Sequence, residues 1–184
     1  MPRLFVALEL AEGLQDELAE LCHGLPSARW TEAGDFHLTL AFLGDVDGPR
    51  FEAVREGLNS VRHDPFELRL SGTGHFPPRG APKVLWAGVE PDEAVRELAG
   101  RVERCLRRLG VPTERRRYVP HVTLARLRGT PLPELLHFLE RHALWRAAAR
   151  PVTDFQLFSS VLGRQRALHR VEASYPLIPG NDGA

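Results

Sequence analysis

Two short stretches of the chain place a histidine and a threonine two positions apart in an otherwise apolar segment. HLTL begins at His37, and HVTL begins at His121. Because side chains alternate between the two faces of a β-strand, His37 shares a face with Thr39, and His121 shares a face with Thr123. Each motif therefore presents an imidazole and a hydroxyl roughly 7 Å apart on a strand whose other face is apolar.

Two histidines that face one another can divide acid and base catalysis at neutral pH. The ordinary imidazole pKa of about 6.5 allows one ring to be protonated while the other is neutral. Threonine hydroxyls can donate hydrogen bonds to an oxyanion held between the rings. A phosphodiester that is attacked on one side while a group leaves from the other fits this arrangement.

Other chemistries have less support in the sequence. The chain contains no Walker A loop, no dinucleotide-binding glycine motif and no nucleophilic serine or cysteine signature, so water is the expected attacking group. Asp35 and Asp45 flank the first motif, but neither motif has the additional ligands that a zinc or iron site needs. We therefore expect neither a metal nor a cofactor. A single histidine beside a threonine in a strand is commonly structural, and only its repetition favours catalysis.

The predicted elements around the motifs recur in the same order in both halves of the chain. Apolar runs predict strands, and apolar residues three or four positions apart predict helices. The segment FPPRGAPK, residues 76–83, is the strongest break between the halves. The predicted strands are 3–9, 37–43, 66–75, 84–90, 121–127, 152–162 and 167–177, and the predicted helices are 12–25, 51–61, 91–110 and 135–144.

This recurrence indicates an internal duplication. The octapeptides HLTLAFLG and HVTLARLR are identical at five of eight positions and occupy matching places in the two layouts. We interpret the chain as one domain, residues 1–180, made of two lobes at approximately 1–78 and 82–178. Equivalent strands of duplicated halves commonly meet about a two-fold axis, which would bring the motifs together.

The composition is that of an ordinary globular protein. The 184 residues are 43% hydrophobic and 26% charged, without a segment that could span a bilayer. Glu9 and Glu12 interrupt the first apolar run, so we expect a cytoplasmic protein without membrane contact. Cys22 and Cys105 lack the spacing of a metal or redox motif and are expected to be reduced. Acidic and basic residues number 24 each, and Lys83 is the only lysine.

The sequence around the motifs has further distinctive features. Arg126 follows the second motif directly, the chain opens with RLFVALEL, and FSSVLGRQ occurs late in the sequence. Together with the paired H-x-T-x motifs, these features resemble the two-histidine (2H) phosphoesterases, and most closely the RNA 2',3'-cyclic phosphodiesterases, also called 2'-5' RNA ligase-like proteins. The similarity covers about residues 3–178. It implies a bilobed α+β fold in which two antiparallel β-sheets line a central cleft and helices lie outside.

The resemblance also implies roles for the motif residues. His37 would be the proton donor to the leaving 3'-oxygen, and His121 would be the proton acceptor that activates water. Thr39 and Thr123 match the family's phosphate-holding hydroxyls. Arg126 matches an arginine that often follows the second motif, but strand alternation places it on the face opposite His121. Either a bulge or strand end turns Arg126 toward the cleft, or its role is structural.

The implied substrates are RNA ends or nucleoside 2',3'-cyclic phosphates, hydrolysed to 2'-phosphates without a metal or cofactor. We expect a monomer with no obligate protein partner. Two other functions would use the same residues. A non-catalytic module could bind nucleotides or RNA ends, and a related enzyme could act as a 2',5'-phosphodiesterase or a 2'-5' RNA ligase.

Other aromatic residues and histidines receive structural interpretations. Phe42 alternates onto the face of Leu38 and is predicted to lie in the core. Trp86 is predicted to pack, although a tryptophan at the rim of the cleft could stack on a base. His75, at the end of a predicted strand, is interpreted as a loop histidine that could alternatively line the cleft. No chemistry is assigned to His169.

Overall fold

The computed structural model of the protein describes residues 3–113, 117–162 and 167–180. Within these ranges helices combine with antiparallel strands, which confirms the α+β class. The strands are β1 Arg3–Glu9, β2 Ala28–Trp30, β3 His37–Asp45, β4 Phe66–Leu68, β5 Leu70–Phe76, β6 Val84–Val89, β7 His121–Leu127, β8 Arg150–Val152, β9 Asp154–Leu162 and β10 Ala167–Pro176. The helices are α1 Glu12–Leu21, α2 Gly48–Gly57, α3 Glu93–Arg108 and α4 Leu132–Arg141, with a 3-10 helix at Leu58–Ser60.

The main sheet of the described residues has two halves. One half has the strand order β10-β9-β1-β3, and the other has the order β7-β6-β5 with β2 paired to β7. These antiparallel halves correspond to the two sheets implied by the resemblance. They meet where Leu38 of β3 pairs with Val122 of β7, so the junction lies between the two histidine motifs. Strands β4 and β8 pair separately.

Apart from β2 and β10, the strand order is symmetric when the halves of the sequence are exchanged. Strands β1, β3 and β5 then take the places of β6, β7 and β9, and β4 exchanges with β8. Each half of the sheet contains strands from both halves of the sequence, because β9 pairs with β1 and β5 pairs with β6. The break at residues 76–83 therefore does not divide the sheet. We propose that this symmetry reflects an internal duplication.

One face of the sheet carries the hydrophobic core and the other is open. In β1, Leu4 and Leu8 belong to the large core, to which all four α-helices contribute. Phe5 and Ala7 alternate onto the opposite face, where they form a separate small cluster with Phe158. Burying one such leucine stabilises the fold by about 1.5–3 kcal/mol. The helices thus fix the strands from one side and leave the other side accessible.

The helices begin and end where local chemistry requires. Asp47 starts α2 because its side chain accepts a hydrogen bond of 2.9 Å from the backbone N–H of Arg50. Helix α1 ends before the predicted residue 25, and Gly24 follows with a φ of 76°. Leu144, predicted to lie on the last helix, is beyond α4 and 93% exposed.

Two further predictions can be compared with the structure. Cys22 and Cys105 are free thiols, as expected. Among the described residues, no helix combines the length and apolar character needed to cross a bilayer.

Candidate active site

The junction of the two sheet halves brings both motifs together. Leu38 and Val122 are direct cross-strand partners and are fully buried, so they share the core face. Their neighbours His37 and His121 therefore lie on the open face, each partly buried. Thr39 follows His37 onto this face, and Thr123 follows His121. We call this face the histidine cleft.

Both imidazoles are held by the same local hydrogen bond. Nδ1 of His37 lies 2.8 Å from the carbonyl oxygen of Asp35, and Nδ1 of His121 lies 2.7 Å from that of Val119. A carbonyl can only accept, so Nδ1 is the protonated nitrogen in each ring. This leaves Nε2 of each neutral ring as the atom that can take up a proton, and Nε2 of each protonated ring as one that can release it.

The surroundings of His37 disfavour its charged form. Burial is the main cause that lowers the pKa of His37 below its ordinary value, and the hydrogen bond to the Asp35 carbonyl opposes it. Positive charge on His169 or His121 lowers the pKa of His37 further, which also shows that the two motif histidines interact electrostatically. A bound phosphate anion would act in the opposite direction and favour protonated His37.

Aromatic rings form the wall of the cleft beside His37. The ring centroid of Phe5 lies 4.9 Å from that of His37, and Phe5 stacks on Phe158 at 5.0 Å. His169 meets His37 edge to face at 5.1 Å. The sequence interpretation missed His169 as a site neighbour, because only the pairing of Ser160 with His169 places it on this face.

Phe42 lies in the cleft, which shows that the predicted core position was wrong. Phe42 is 49% exposed and its ring lies 6.1 Å from that of Phe5. The reason is an irregular register between β1 and β3, in which Phe5 pairs with Phe42 and Ala7 pairs with Thr39. The extra residue in β3 reverses the alternation between Thr39 and Phe42.

A different set of rings forms the wall beside His121. Phe76 meets His121 nearly perpendicularly at 4.9 Å, and Trp86 lies 6.3 Å from His121. The indole of Trp86 lies directly over Gly74 of the neighbouring strand, where a Cβ would be 2.3 Å from the ring. Gly74 is therefore required for Trp86 to pack flat across the sheet.

Arg126 reaches the histidine face through a bulge, one of the two alternatives considered for it. Val84 pairs with Arg126 and Trp86 pairs with Thr123, so three positions of β7 span two positions of β6. This irregularity places Arg126 on the same face as Thr123. Arg29 of β2 pairs with Arg126, and both side chains are exposed.

One side-chain hydrogen bond connects each motif to the segment that precedes the other motif. The Tyr118 hydroxyl donates to the carbonyl of Thr39 at 2.8 Å, and the Thr31 hydroxyl donates to the carbonyl of Thr123 at 3.0 Å. Tyr118 precedes the second motif and Thr31 precedes the first. The position of each motif strand therefore depends on the other half of the site.

Other candidate residues lie away from the cleft or outside the described part. His75 lies within β5 rather than in a loop, and its pairing with buried Leu85 places it on the core side rather than in the cleft. The residues 163–165 of FSSVLGRQ lie outside the described residues. Within the described part of the chain, no group of three or more His, Cys, Asp or Glu side chains is arranged to hold a metal ion.

Comparison with known proteins gives consistent matches over most of the chain. The family described as LigT like Phosphoesterase matches in two successive segments, residues 8–86 and 88–169. An RNA 2',3'-cyclic phosphodiesterase of Aeropyrum pernix is 34% identical over 85% of this chain and 89% of its own length. An RNA 2',3'-cyclic phosphodiesterase of Aquifex aeolicus is 30% identical over 84% of this chain and 82% of its own.

Solved structures agree with this result. TT0787 of Thermus thermophilus matches with a TM-score of 0.77 and 28% identity, covering 97% of this chain and 99% of that one. LigT of E. coli in its apo form matches with a TM-score of 0.79 and 25% identity, covering 96% and 98%. The resemblance to the two-histidine phosphoesterases is confirmed, and the protein belongs to the LigT-like phosphoesterase family.

Proposed function

We propose that the protein hydrolyses RNA 2',3'-cyclic phosphate ends to 2'-phosphates without a metal or cofactor. The observation that carries this proposal is the pair of imidazoles at the junction of β3 and β7, each fixed through Nδ1 with Nε2 left for proton transfer. Relatives named RNA 2',3'-cyclic phosphodiesterase, similar over most of their length, support the choice of substrate.

In the proposed reaction the two histidines act on opposite sides of one phosphorus atom. Nε2 of His121 accepts a proton from water as the water oxygen forms its bond to phosphorus. The bond between phosphorus and the 3'-oxygen breaks, and Nε2 of protonated His37 donates its proton to that oxygen. The phosphate remains on the 2'-oxygen, and the two rings end in exchanged protonation states. The assignment of the acid to His37 follows the family likeness.

The neighbouring side chains would hold the phosphate during this step. The hydroxyls of Thr39 and Thr123 lie on the face of the histidines and would donate to the non-bridging oxygens, where negative charge increases in the transition state. Arg126 lies farther along β7 on the same face. Its guanidinium would contact the phosphate or the adjoining nucleotide.

We further propose that the protein acts as a monomer in the cytoplasm, with RNA ends or nucleoside 2',3'-cyclic phosphates as its partners. The free thiols Cys22 and Cys105 fit a reducing compartment. Light scattering of the purified protein would test the monomer directly.

The decisive experiment identifies the product. Uridine 2',3'-cyclic phosphate is incubated with the protein in the presence of EDTA, and the products are separated from 2'- and 3'-phosphate standards. We expect the 2'-phosphate alone and no effect of EDTA. The variant with His37→Ala and His121→Ala, purified in parallel, controls for a contaminating nuclease.

Other outcomes would support other functions. Binding of the cyclic nucleotide without any product would favour the non-catalytic module. A 3'-phosphate product would mean that the 2'-oxygen leaves instead. Cleavage or joining of 2',5'-linked oligonucleotides, with no turnover of the cyclic phosphate, would favour the phosphodiesterase or ligase alternative.

A further inference from the structure

A cluster of arginine side chains lies outside the histidine cleft. A cavity of about 620 Å³ opens between α3 and the residues at the end of the 3-10 helix. Five arginines line it together with Ser60, and we call it the arginine cavity: Arg62, Arg101, Arg104, Arg107 and Arg108.

The arginine cavity is on the helical side of the molecule. Val102 and Leu106 of α3 are fully buried in the core to which Leu38 and Val122 also belong. His37 alternates with Leu38 onto the opposite face of the sheet. An anion in the arginine cavity would therefore be separate from a phosphate held between the two histidines.

The spacing of the arginines concentrates positive charge on one stripe of α3. Arg101, Arg104 and Arg108 are three and four positions apart, so their side chains are neighbours on the helix surface. Like charges at this spacing destabilise a helix unless counter-charges compensate them. Because acidic and basic residues balance over the whole chain at 24 each, this concentration is a local feature.

Counter-charges within the protein compensate only part of the cluster. Arg101 pairs with Glu97 at 2.6 Å, and Arg107 approaches Glu103 at 3.7 Å. The end of α3 favours cations near Arg108 through the helix dipole. Among the described residues, the side chains of Arg104 and Arg108 form neither a hydrogen bond nor an ion pair, and only the longer-range charge of Glu97 acts on Arg104.

Arg101 has one hydrogen-bond donor without an acceptor. Nε of Arg101 is buried without a hydrogen-bond partner among the described residues, although the same guanidinium donates from Nη1 to the carbonyl of Arg62 at 2.8 Å. A buried N–H without an acceptor is unfavourable, and native proteins usually satisfy such groups with protein atoms, water or a ligand. Because Nε is closed to solvent, an anion in the cavity would accept its hydrogen bond only after the Arg101 side chain turned toward the anion.

We infer that the arginine cavity is a second phosphate-binding site, which takes either the backbone of an RNA away from its end or a free polyphosphate. Guanidinium groups bind phosphate oxygens through paired N–H donors, and five of them around one cavity suit more than one phosphate. This site goes beyond the proposed function and does not depend on it, because binding there requires no turnover at the histidines.

The test uses full-length variants and ligands that cannot react. The variant with Arg104→Gln and Arg108→Gln removes the two unpaired charges at exposed positions. The matched control carries Arg50→Gln and Arg141→Gln, which removes two exposed charges outside the cavity. Binding of a single-stranded RNA with a 3'-hydroxyl is followed by fluorescence anisotropy, and binding of tripolyphosphate is followed by calorimetry.

For an RNA occupant, we expect the cavity variant to bind RNA about tenfold more weakly at about 50 mM salt, with a salt slope smaller by about 0.7 for each lost phosphate contact. The control should bind as the wild type does. For a free polyphosphate occupant, only tripolyphosphate binding should weaken. Hydrolysis of uridine 2',3'-cyclic phosphate should be the same in all three proteins.

The inference is overturned if both ligands bind equally well to the cavity variant and the wild type, or if the control weakens binding as much as the cavity variant does. Loss of cyclic phosphate hydrolysis in the cavity variant alone would also contradict two separate sites. Absence of hydrolysis in the wild type concerns only the proposed function, since RNA binding is measured without it.

Discussion

The two histidine motifs use the same device to fix the imidazole but differ in the walls around it. Each ring donates from Nδ1 to the carbonyl two residues earlier in the chain. Beside the first motif, Ala7 pairs with Thr39 and with Gln156. At the corresponding places beside the second motif, Trp86 pairs with Thr123 and Gly74. Beside the first motif the larger side chain, Gln156, is on the strand farther from the motif. Beside the second motif the larger side chain, Trp86, is on the strand next to it. The hydrogen bond that orients the imidazole is the same in both.

The walls also differ in the rings that contact each imidazole. The ring centroid of His169 lies 5.1 Å from that of His37, and the ring centroids of Phe76 and Trp86 lie 4.9 Å and 6.3 Å from that of His121. The wall beside the first motif therefore contains a group whose positive charge lowers the pKa of His37. The motif thus determines which ring nitrogen is left for proton transfer, and burial and the neighbouring charges in the first wall act on the pKa of His37.

The largest expected effect comes from the histidines themselves. His37→Ala and His121→Ala should each lower kcat/KM for a 2',3'-cyclic nucleotide by about 10²- to 10⁴-fold. A 4-nitrophenyl phosphodiester has a leaving group that needs no proton, so it should restore much of the rate to His37→Ala but not to His121→Ala. Steady-state kinetics on both substrates measure the difference. The reverse pattern would exchange the roles, and full activity in either variant would remove that histidine from the mechanism.

The threonines should follow with a smaller loss. A hydrogen bond to a charged group contributes about 1.5–3 kcal/mol, so Thr39→Val and Thr123→Val should each lower kcat by about 10- to 100-fold. Valine keeps the shape of threonine and removes only the donor. Thermal unfolding of both variants checks that the strands are intact. A variant with unchanged kcat would show that its hydroxyl does not contact the phosphate in the transition state.

Gly74→Ala should affect only the wall beside His121, and it should do so by lowering the free energy of unfolding. The new Cβ would lie 2.3 Å from the Trp86 ring, and such overpacking costs about 1–3 kcal/mol of unfolding free energy. Gly100→Ala is the matched control, because its nearest contact is the end of Arg104 at 3.9 Å. Urea denaturation of both variants measures the effect. Equal stability of Gly74→Ala and the wild type would show that Trp86 does not need this close approach.

Removal of the two connecting hydrogen bonds should have similar, modest effects. Tyr118→Phe removes the donor to the Thr39 carbonyl, and Thr31→Val removes the donor to the Thr123 carbonyl. Each should lower the unfolding free energy by about 0.5–1.5 kcal/mol. Denaturation curves of the two single variants and the double variant would show whether the losses add. No loss in either single variant would mean that the bonds do not fix the motif strands.

The smallest expected effect is a shift in the pH profile. Burial lowers the pKa of His37, and positive charge on His169 lowers it further, so His169→Phe should raise it. Since the acid must be protonated, the fall of kcat/KM at high pH should move upward. Asp35 and His121, the other charged groups that act on His37, remain in place. A profile that does not move, or that moves downward, would show that His169 does not tune the acid.

The pH profile should also differ between free and bound enzyme. In the free protein the lowered pKa of His37 makes kcat/KM fall at a lower pH than an ordinary imidazole would. A bound phosphate anion favours the protonated ring, so the corresponding fall in kcat should lie at higher pH. If kcat and kcat/KM fell at the same high pH, this result would contradict an anion held beside His37.

The sequence was sufficient to predict which face of its strand each motif residue occupies. It was not sufficient for residues beyond the first β-bulge of the strand. Strict alternation places His37 and Thr39 opposite Leu38, and the structure agrees. Phe42 and Arg126 lie past bulges, whose position depends on the register with the neighbouring strand and not on the sequence of one strand alone. Alternation therefore fails for both residues.

Long-range pairing also limits what the sequence can predict. His169 becomes a neighbour of His37 only because β10 pairs with β9 and β9 pairs with β1. Strands β2 and β8 are three residues long, too short to show a period. The duplicated order of elements was visible in the sequence, whereas the exchange of β5 and β9 between the halves of the sheet was not.

That exchange has an evolutionary consequence. The equivalent strands β5 and β9 each pair with the first strand of the other sequence half, β5 with β6 and β9 with β1. If both halves descend from one shorter gene, its product could build this sheet only as a homodimer, in which each subunit contributed the strand equivalent to β5 and β9 to the sheet half of the other subunit. Fusion into a single polypeptide would have ended the requirement that both subunits be identical and allowed one wall to gain a tryptophan while the other gained a third histidine.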